Sequence, residues 1–208
     1  TCMKYDFQAA MVAPCYIELA KDVLKGTGIQ VASTLNFPIA NDTLPMKIAA
    51  LKEMIKTGVD QFDFPPNPGL LLGGEEKAYF EEMRQIVEVA HASGVIVKAM
   101  LEFGYITTPE LKKKAAQLAC EAGIDWVKTS TGQYGGPSVQ DVMLMVDAVK
   151  GTKTKVKVAG VKDPRPQNAF CFIQAGAELI GTRAAVEILD AVDDLRKIGL
   201  IPAYTGDK

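Results

Sequence analysis

The chain has 208 residues, 48% hydrophobic and 23% charged, with a formal net charge of −2 at pH 7. That balance fits one globular unit with enough apolar content for a sizeable core, so residues 1–208 are read as a single domain. It offers no positive field to hold a nucleic acid or an anionic membrane, and no apolar run nears the roughly 18 residues needed to cross a bilayer.

Cys2, Cys15, Cys120 and Cys171 are scattered, with no CxxC pair, and His91 is the one histidine. Neither a disulfide framework nor a zinc site follows from such spacing. No metal and no other cofactor is expected, and the setting is read as reducing and cytoplasmic. The four thiols are expected to be buried as small hydrophobes. His91 reads as a surface or packing residue, and Met143 and Met145 as helix packing groups.

From end to end one pattern recurs: an amphipathic helix, a glycine near its end, then a short apolar strand. It runs through ELAKDVLKGTGIQVAST, AALKEMIKTGVDQFDF, VEVAHASGVIVKAML, AQLACEAGIDWVKTS and CFIQAGAELIGT. A further passage leads from VMLMVDAVKG to KVKVAGV. Each turn glycine stands where the chain must leave the helix in a left-handed conformation. Leu44, Ile48, Leu51 and Ile55 recur at helical spacing and predict one apolar face. Thr108-Pro109-Glu110 reads as an N-cap, a first-turn proline and an acid, and Ser138 with Asp141 as a capping box.

The predicted strands are QAAMVAP, QVASTLNFP, QFDFPP, VIVKAMLEF, WVKTST, KVKVAG and LIGT. Several are nearly continuous apolar runs, as expected of a parallel sheet covered by helices. Strict alternation of strand and helix predicts an α/β fold, and without GxGxxG or a Walker A loop the reading is a TIM-type (β/α)8 barrel.

Charged residues interrupt these strands. Lys98, Lys128 and Lys157 each lie inside an apolar strand, and Asp63 sits likewise in QFDFPP. Any one alone is best read as snorkelling at a strand end or as a structural ion pair. Four in successive strands point to an interior network, and near carboxyl strand ends such a network faces a barrel's active site. A lysine amine attacks a carbonyl only when deprotonated, and burial with a neighbouring ammonium favours that form. The resulting imine accepts electrons from a breaking carbon–carbon bond, while a carboxylate working through a second lysine or a water moves protons. No metal is required.

At WVKTSTG the chain resembles the deoxyribose-phosphate aldolase family, and the likeness extends over nearly its whole length. LNFPIAND, GVDQFDF, VIVKAMLE, DWVKTSTG, KVKVAG and AGAELIGT resemble that family's third to eighth strands, in order. By resemblance Lys128 is the Schiff-base lysine, Lys157 the second lysine that depresses its pKa, and Asp63 the proton-relay acid. Lys98 and Glu102 take supporting positions. Gly132, Gly160, Gly181, Thr182 and Arg183 fall where the family holds a substrate phosphate. The seventh loop departs from the family's two glycines, reading Ala159-Gly160-Val161-Lys162, and Arg183 replaces a small residue. A guanidinium there would bind phosphate more tightly or select a carboxylate. The resemblance gives Tyr204 a proton-transfer role in some members.

The implied reaction is reversible cleavage of 2-deoxy-D-ribose 5-phosphate to D-glyceraldehyde 3-phosphate and acetaldehyde, in a homo-oligomer, dimer or tetramer, whose ligand is a small phosphorylated sugar or aldehyde. The alternatives are a related class I aldolase with another aldehyde or acid, a barrel isomerase or dehydratase using Lys128 as acid or base, and a binding protein without catalysis. QAAMVAP resembles the family's second strand, so the first strand of the barrel is expected to be missing from these 208 residues.

Overall fold

The computed structural model describes residues 1–202. Seven strands, β1 (Ala9–Met11), β2 (Gln30–Thr34), β3 (Gln61–Phe64), β4 (Ile96–Met100), β5 (Trp126–Lys128), β6 (Lys155–Ala159) and β7 (Leu179–Gly181), form one parallel sheet. Their order in the sheet is their order in the chain. The helices between and around them are α1 (Cys2–Tyr5), α2 (Ile17–Val23), α3 (Leu44–Lys56), α4 (Pro68–Leu72), α5 (Glu76–His91), α6 (Pro109–Glu121), α7 (Val139–Val149), α8 (Arg165–Gln174), α9 (Ala185–Asp190) and α10 (Val192–Lys197). None among the described residues is long and apolar enough to cross a membrane.

All seven expected strands are present, each shorter than its apolar run. The helix signals also work as read. Thr108 accepts a hydrogen bond from the Leu111 amide, and Ser138 and Asp141 exchange the two bonds of a capping box.

Curvature follows from one distance. Strands lie roughly 4.8 Å apart, so in a flat sheet β3 and β6 would be about 14 Å apart. Yet Lys157 of β6 reaches Asp63 of β3 at 2.7 Å. The sheet is therefore concave, a TIM-type barrel with seven strands, in which β1 and β7 are each paired on one side among the described residues. Period-two alternation divides each strand between two faces. Phe62, Phe64, Val97, Ala99, Val127, Val156 and Val158 point outward and form the core with Leu51, Met83, Ile86, Ala115 and Met145 of the helices. Gln61, Asp63, Lys98, Lys128 and Lys157 take the inner face.

Three expectations need correction. Cys15 and Cys171 are exposed, and Cys2 and Cys120 only partly covered: α6 turns Ala115, Ala116 and Ala119 inward and α8 turns Ala169 and Phe172, while the segments holding Cys2 and Cys15 bury no residue. Met145 packs in the core, but Met143, two positions along α7, is 58% exposed. His91, at the end of α5, is a surface residue as expected, with Nε2 2.9 Å from Asp125 Oδ2. On α3 the buried positions belong to Lys47, Leu51 and Met54, with Leu44, Ile48 and Ile55 at the margin.

Lys47 is buried because it has partners. Its Nζ donates to Glu82 of α5 and to the Ala40 carbonyl at 3.2 Å, while Glu82 Oε2 accepts the Asn67 amide at 3.0 Å. This pair ties the loops after β2 and β3 to two helices. Removing one partner of such a pair strands the other charge, so Lys47→Met should cost about 3 kcal/mol in urea denaturation. Adding Glu82→Gln, which neutralises the stranded charge and still accepts from Asn67, should recover part of that loss. A single-variant cost below about 0.5 kcal/mol would show the pair to be energetically idle.

Candidate active site

Asp63 lies in the middle of the inner face, and three lysines converge on it from the next three strands. The register sets Asp63 beside Lys98, and Lys128 beside both Met100 and Lys157. Lys128 Nζ donates to Asp63 Oδ2 at 3.0 Å and lies 3.3 Å from Met100 Sδ. Lys157 Nζ donates to the same Oδ2 at 2.7 Å. Lys98 Nζ is 3.7 Å from Asp63 Oδ1 and donates instead to Gln61 Oε1. Relative exposures of 0% for Asp63, 1% for Lys98, 5% for Lys157 and 6% for Lys128 rule out snorkelling.

One carboxylate cannot compensate three ammoniums. Burial by itself would raise the Asp63 pKa, but the Lys128, Lys157 and Lys98 charges outweigh it and hold the group well below the usual carboxylate range. Burial lowers Lys98 to about 8, and the Lys157 and Lys128 charges lower it too, against the pull of Asp63. Lys157 is lowered as well, by burial first and by Lys128. A cluster with more positive than negative charge in a dry interior gives up a proton readily, and it titrates as a unit. A neutral amine and an ionised carboxylate can thus coexist within a few ångströms.

Glu102 follows β4 with a left-handed φ of 53° and is buried. Its Oε2 accepts the Thr131 amide at 2.9 Å, and the neighbouring Leu101 and Phe103 amides donate to the carbonyls of Lys128 and Thr129. It therefore holds the loop beyond Lys128. Gly132 and Gly160, both left-handed, meet backbone to backbone, since a Cβ on Gly160 would lie 3.1 Å from Gly132 Cα. Gly181 faces a different neighbour: a Cβ there would stand 2.8 Å from Lys157 Cε, so the end of that side chain would have to shift. Thr182 Oγ1 accepts the Ala184 amide at 3.0 Å. Arg183 is exposed and has no hydrogen bond or ion pair among the described residues. Tyr204 lies outside the described residues.

The structure thus joins Asp63, Lys98, Lys128 and Lys157 in one cluster, sets Glu102 behind the Lys128 loop and brings Gly132 to Gly160. Gln61 and Met100 were not singled out by sequence. Both sit two residues from a charged inner-face residue, and period two is the signal that would have found them.

Comparison with known proteins bears on the chemistry. The family model described as DeoC/LacD family aldolase matches residues 8–165. A deoxyribose-phosphate aldolase of Streptococcus equi subsp. zooepidemicus is 42% identical over 187 residues, covering 89% of this chain and 82% of that one. One from Thermococcus kodakarensis is 38% identical over 195 residues, covering 92% and 86%. Among solved structures, the tetrameric deoxyribose phosphate aldolase of Aeropyrum pernix superposes with a TM-score of 0.82 at 26% identity, covering 93% of this chain and 80% of that one.

The charge imbalance makes stability depend on pH in a defined sense. Asp63 is depressed from 3.8, so its contribution is present above that value and is lost as pH falls below it. Lys98 is depressed from 10.5 to about 8, so the unfolded chain binds more protons in that window and stability gains from Lys98 as pH rises through it. Asp63→Asn should cost about 3 kcal/mol at neutral pH by leaving the ammoniums uncompensated, with the deficit shrinking toward pH 10.5. Thermal melts of both proteins across the range check this, and a deficit independent of pH would contradict it.

Proposed function

This chain belongs to the DeoC/LacD family of aldolases, and from that premise we propose that it is a class I aldolase that reversibly cleaves 2-deoxy-D-ribose 5-phosphate to D-glyceraldehyde 3-phosphate and acetaldehyde. The observation that carries the reading is the sharing of one buried carboxylate oxygen by Lys128 and Lys157. The named activity of the relatives supports the substrate.

In this mechanism Lys128, as the neutral amine at the end of β5, attacks the aldehyde carbon of the open-chain sugar. Loss of water gives an iminium. The proton of the C3 hydroxyl then leaves as the C2–C3 bond breaks, and that electron pair flows toward the iminium nitrogen to give an enamine. Glyceraldehyde 3-phosphate departs, C2 of the enamine takes up a proton, and water releases acetaldehyde from Lys128. Asp63 and Lys157 move the protons, and Lys157 also favours the neutral form of the cluster by its charge. Lys98 and Glu102 support them, the first from within the cluster and the second by holding the Lys128 loop. Gly132, Gly160, Gly181, Thr182 and Arg183 form the proposed phosphate end, with Arg183 supplying a charge that backbone amides lack. Assembly as a homo-oligomer, dimer or tetramer, in a cytoplasmic setting belongs to the same proposal, and the Aeropyrum pernix tetramer supports the first part.

Incubation with acetaldehyde and borohydride should leave an irreversible two-carbon adduct on Lys128, found by peptide mass mapping. Lys128→Ala should neither trap nor turn over, and a label on another lysine would sink the assignment. Lys157→Leu should lower turnover at neutral pH at least about a hundredfold and move the pH–rate profile. An unmoved profile would remove Lys157 from the mechanism. Arg183→Ser should raise KM for the phosphorylated sugar far more than for its unphosphorylated analogue. Equal effects would mean that no phosphate is read there.

A further inference from the structure

The two oxygens of Asp63 are treated differently. Oδ2 accepts from both Lys128, at 3.0 Å, and Lys157, at 2.7 Å. Oδ1 is buried and accepts no hydrogen bond among the described residues. Lys98 Nζ stands 3.7 Å from it, about half an ångström beyond hydrogen-bond range. A buried carboxylate oxygen without a donor is costly, and an ammonium this close would ordinarily close the gap.

What holds Lys98 back is Gln61. Gln61 and Asp63 are two apart on β3 and share the inner face, and Asp63 is in register with Lys98. Lys98 Nζ donates to Gln61 Oε1, while Gln61 Nε2 donates to Gln30 Oε1 at 2.6 Å. With its amide nitrogen engaged by Gln30, the side chain of Gln61 is oriented to offer its oxygen to Lys98. The three residues form a strut running from the start of β2 to the charged cluster.

We propose that Gln61 is a positioning residue for proton transfer: by tethering Lys98, it keeps Asp63 Oδ1 free to accept an O–H from a substrate hydroxyl or from water. The inference rests on the aldolase reading and adds the feature that makes the carboxylate usable. An ammonium bonded to Oδ1 would take one of its lone-pair positions and lower its basicity, as the two ammoniums on Oδ2 already do there, making it a poorer proton acceptor. In cleavage the free oxygen faces the C3 hydroxyl proton as the C2–C3 bond gives its electrons to the iminium. In the acetaldehyde half-reaction the same relay removes a methyl proton from the iminium, and the C–H electron pair becomes the enamine double bond.

That half-reaction separates positioning from imine formation. The protein and three variants, Gln61→Met, Gln61→Glu and Gln61→Met with Lys98→Met, are incubated with acetaldehyde. Borohydride trapping at Lys128 reports the imine, and exchange of the acetaldehyde methyl protons with deuterated water, followed by NMR, reports the proton relay. Gln61→Met should trap at the wild-type level but exchange at least about tenfold more slowly, since Lys98 closes on Oδ1. Gln61→Glu keeps an acceptor for Lys98 and should exchange within about threefold of wild type. The double variant, which removes the ammonium that would occupy Oδ1, should exchange faster than Gln61→Met alone, a rescue that a merely structural role would not give. Should Gln61→Met fail to fold, Gln61→Asn, which withdraws the amide by one methylene, takes its place with the same expectation. Unchanged exchange in the single variant, or a double variant no faster than it, overturns the role of Gln61 while leaving the imine intact. Absence of trapping in the wild type overturns the aldolase reading and this inference with it.

Discussion

Three ammoniums from neighbouring strands share one carboxylate, and much of the molecule is arranged around that imbalance. Desolvating a charge is tolerable only with a partner, and Asp63 supplies full compensation for one lysine of three. Burial first, and then the surplus charge, lower Lys98 and Lys157, and together they make proton loss inside the barrel an easy event. The shared carboxylate also dictates shape. Asp63 can meet Lys157, three strands away, only if the sheet curls, so the buried charge cluster and the barrel curvature are two aspects of one geometry.

Such a charged interior leaves the apolar core elsewhere. The outward-facing strand residues Phe62, Phe64, Val97, Val127 and Val158 and the inner sides of α3, α5, α6 and α7 supply it. Stability and chemistry thus occupy opposite faces of the same strands, one residue apart in sequence. Where the loops beyond the strands must approach closely, glycine makes room: Gly132 against Gly160, and Gly181 against the stem of Lys157. Gly181 therefore has a packing reason to be glycine that does not involve any substrate.

How much of this was legible depended on the range of the signal. The strand–helix alternation, the caps at Thr108 and Ser138 and the four charged strand residues are local patterns, and each was readable. Strand ends were overrun because apolar residues continue into the loops, as Leu35 does after β2. Lys47 was missed because a lysine on an amphipathic helix reads as solvent-facing, and its partner Glu82 lies 35 residues away on another helix. Gln61 was overlooked because an uncharged amide attracts no attention until its neighbours are known. The phosphate end remains the least legible part: Gly132 and Gly160 come together, but Arg183 is exposed and apart from any partner among the described residues.

Strand order following chain order has a consequence for how the molecule assembles. Asp63 and Lys98 stand on adjacent strands, and of the three lysines Lys98 is the nearest to Asp63 along the chain. β5 and β6 then each bring a further ammonium toward a carboxylate already matched. Hydrophobic closure of the outer layer must drive these later steps against electrostatic resistance. Rising pH, which discharges Lys98 and Lys157 more readily inside the barrel than in the open chain, eases the burial of β4 and of β6 alike. Closing this barrel brings like charges together toward its end, and its buried lysines are the residues that make it so.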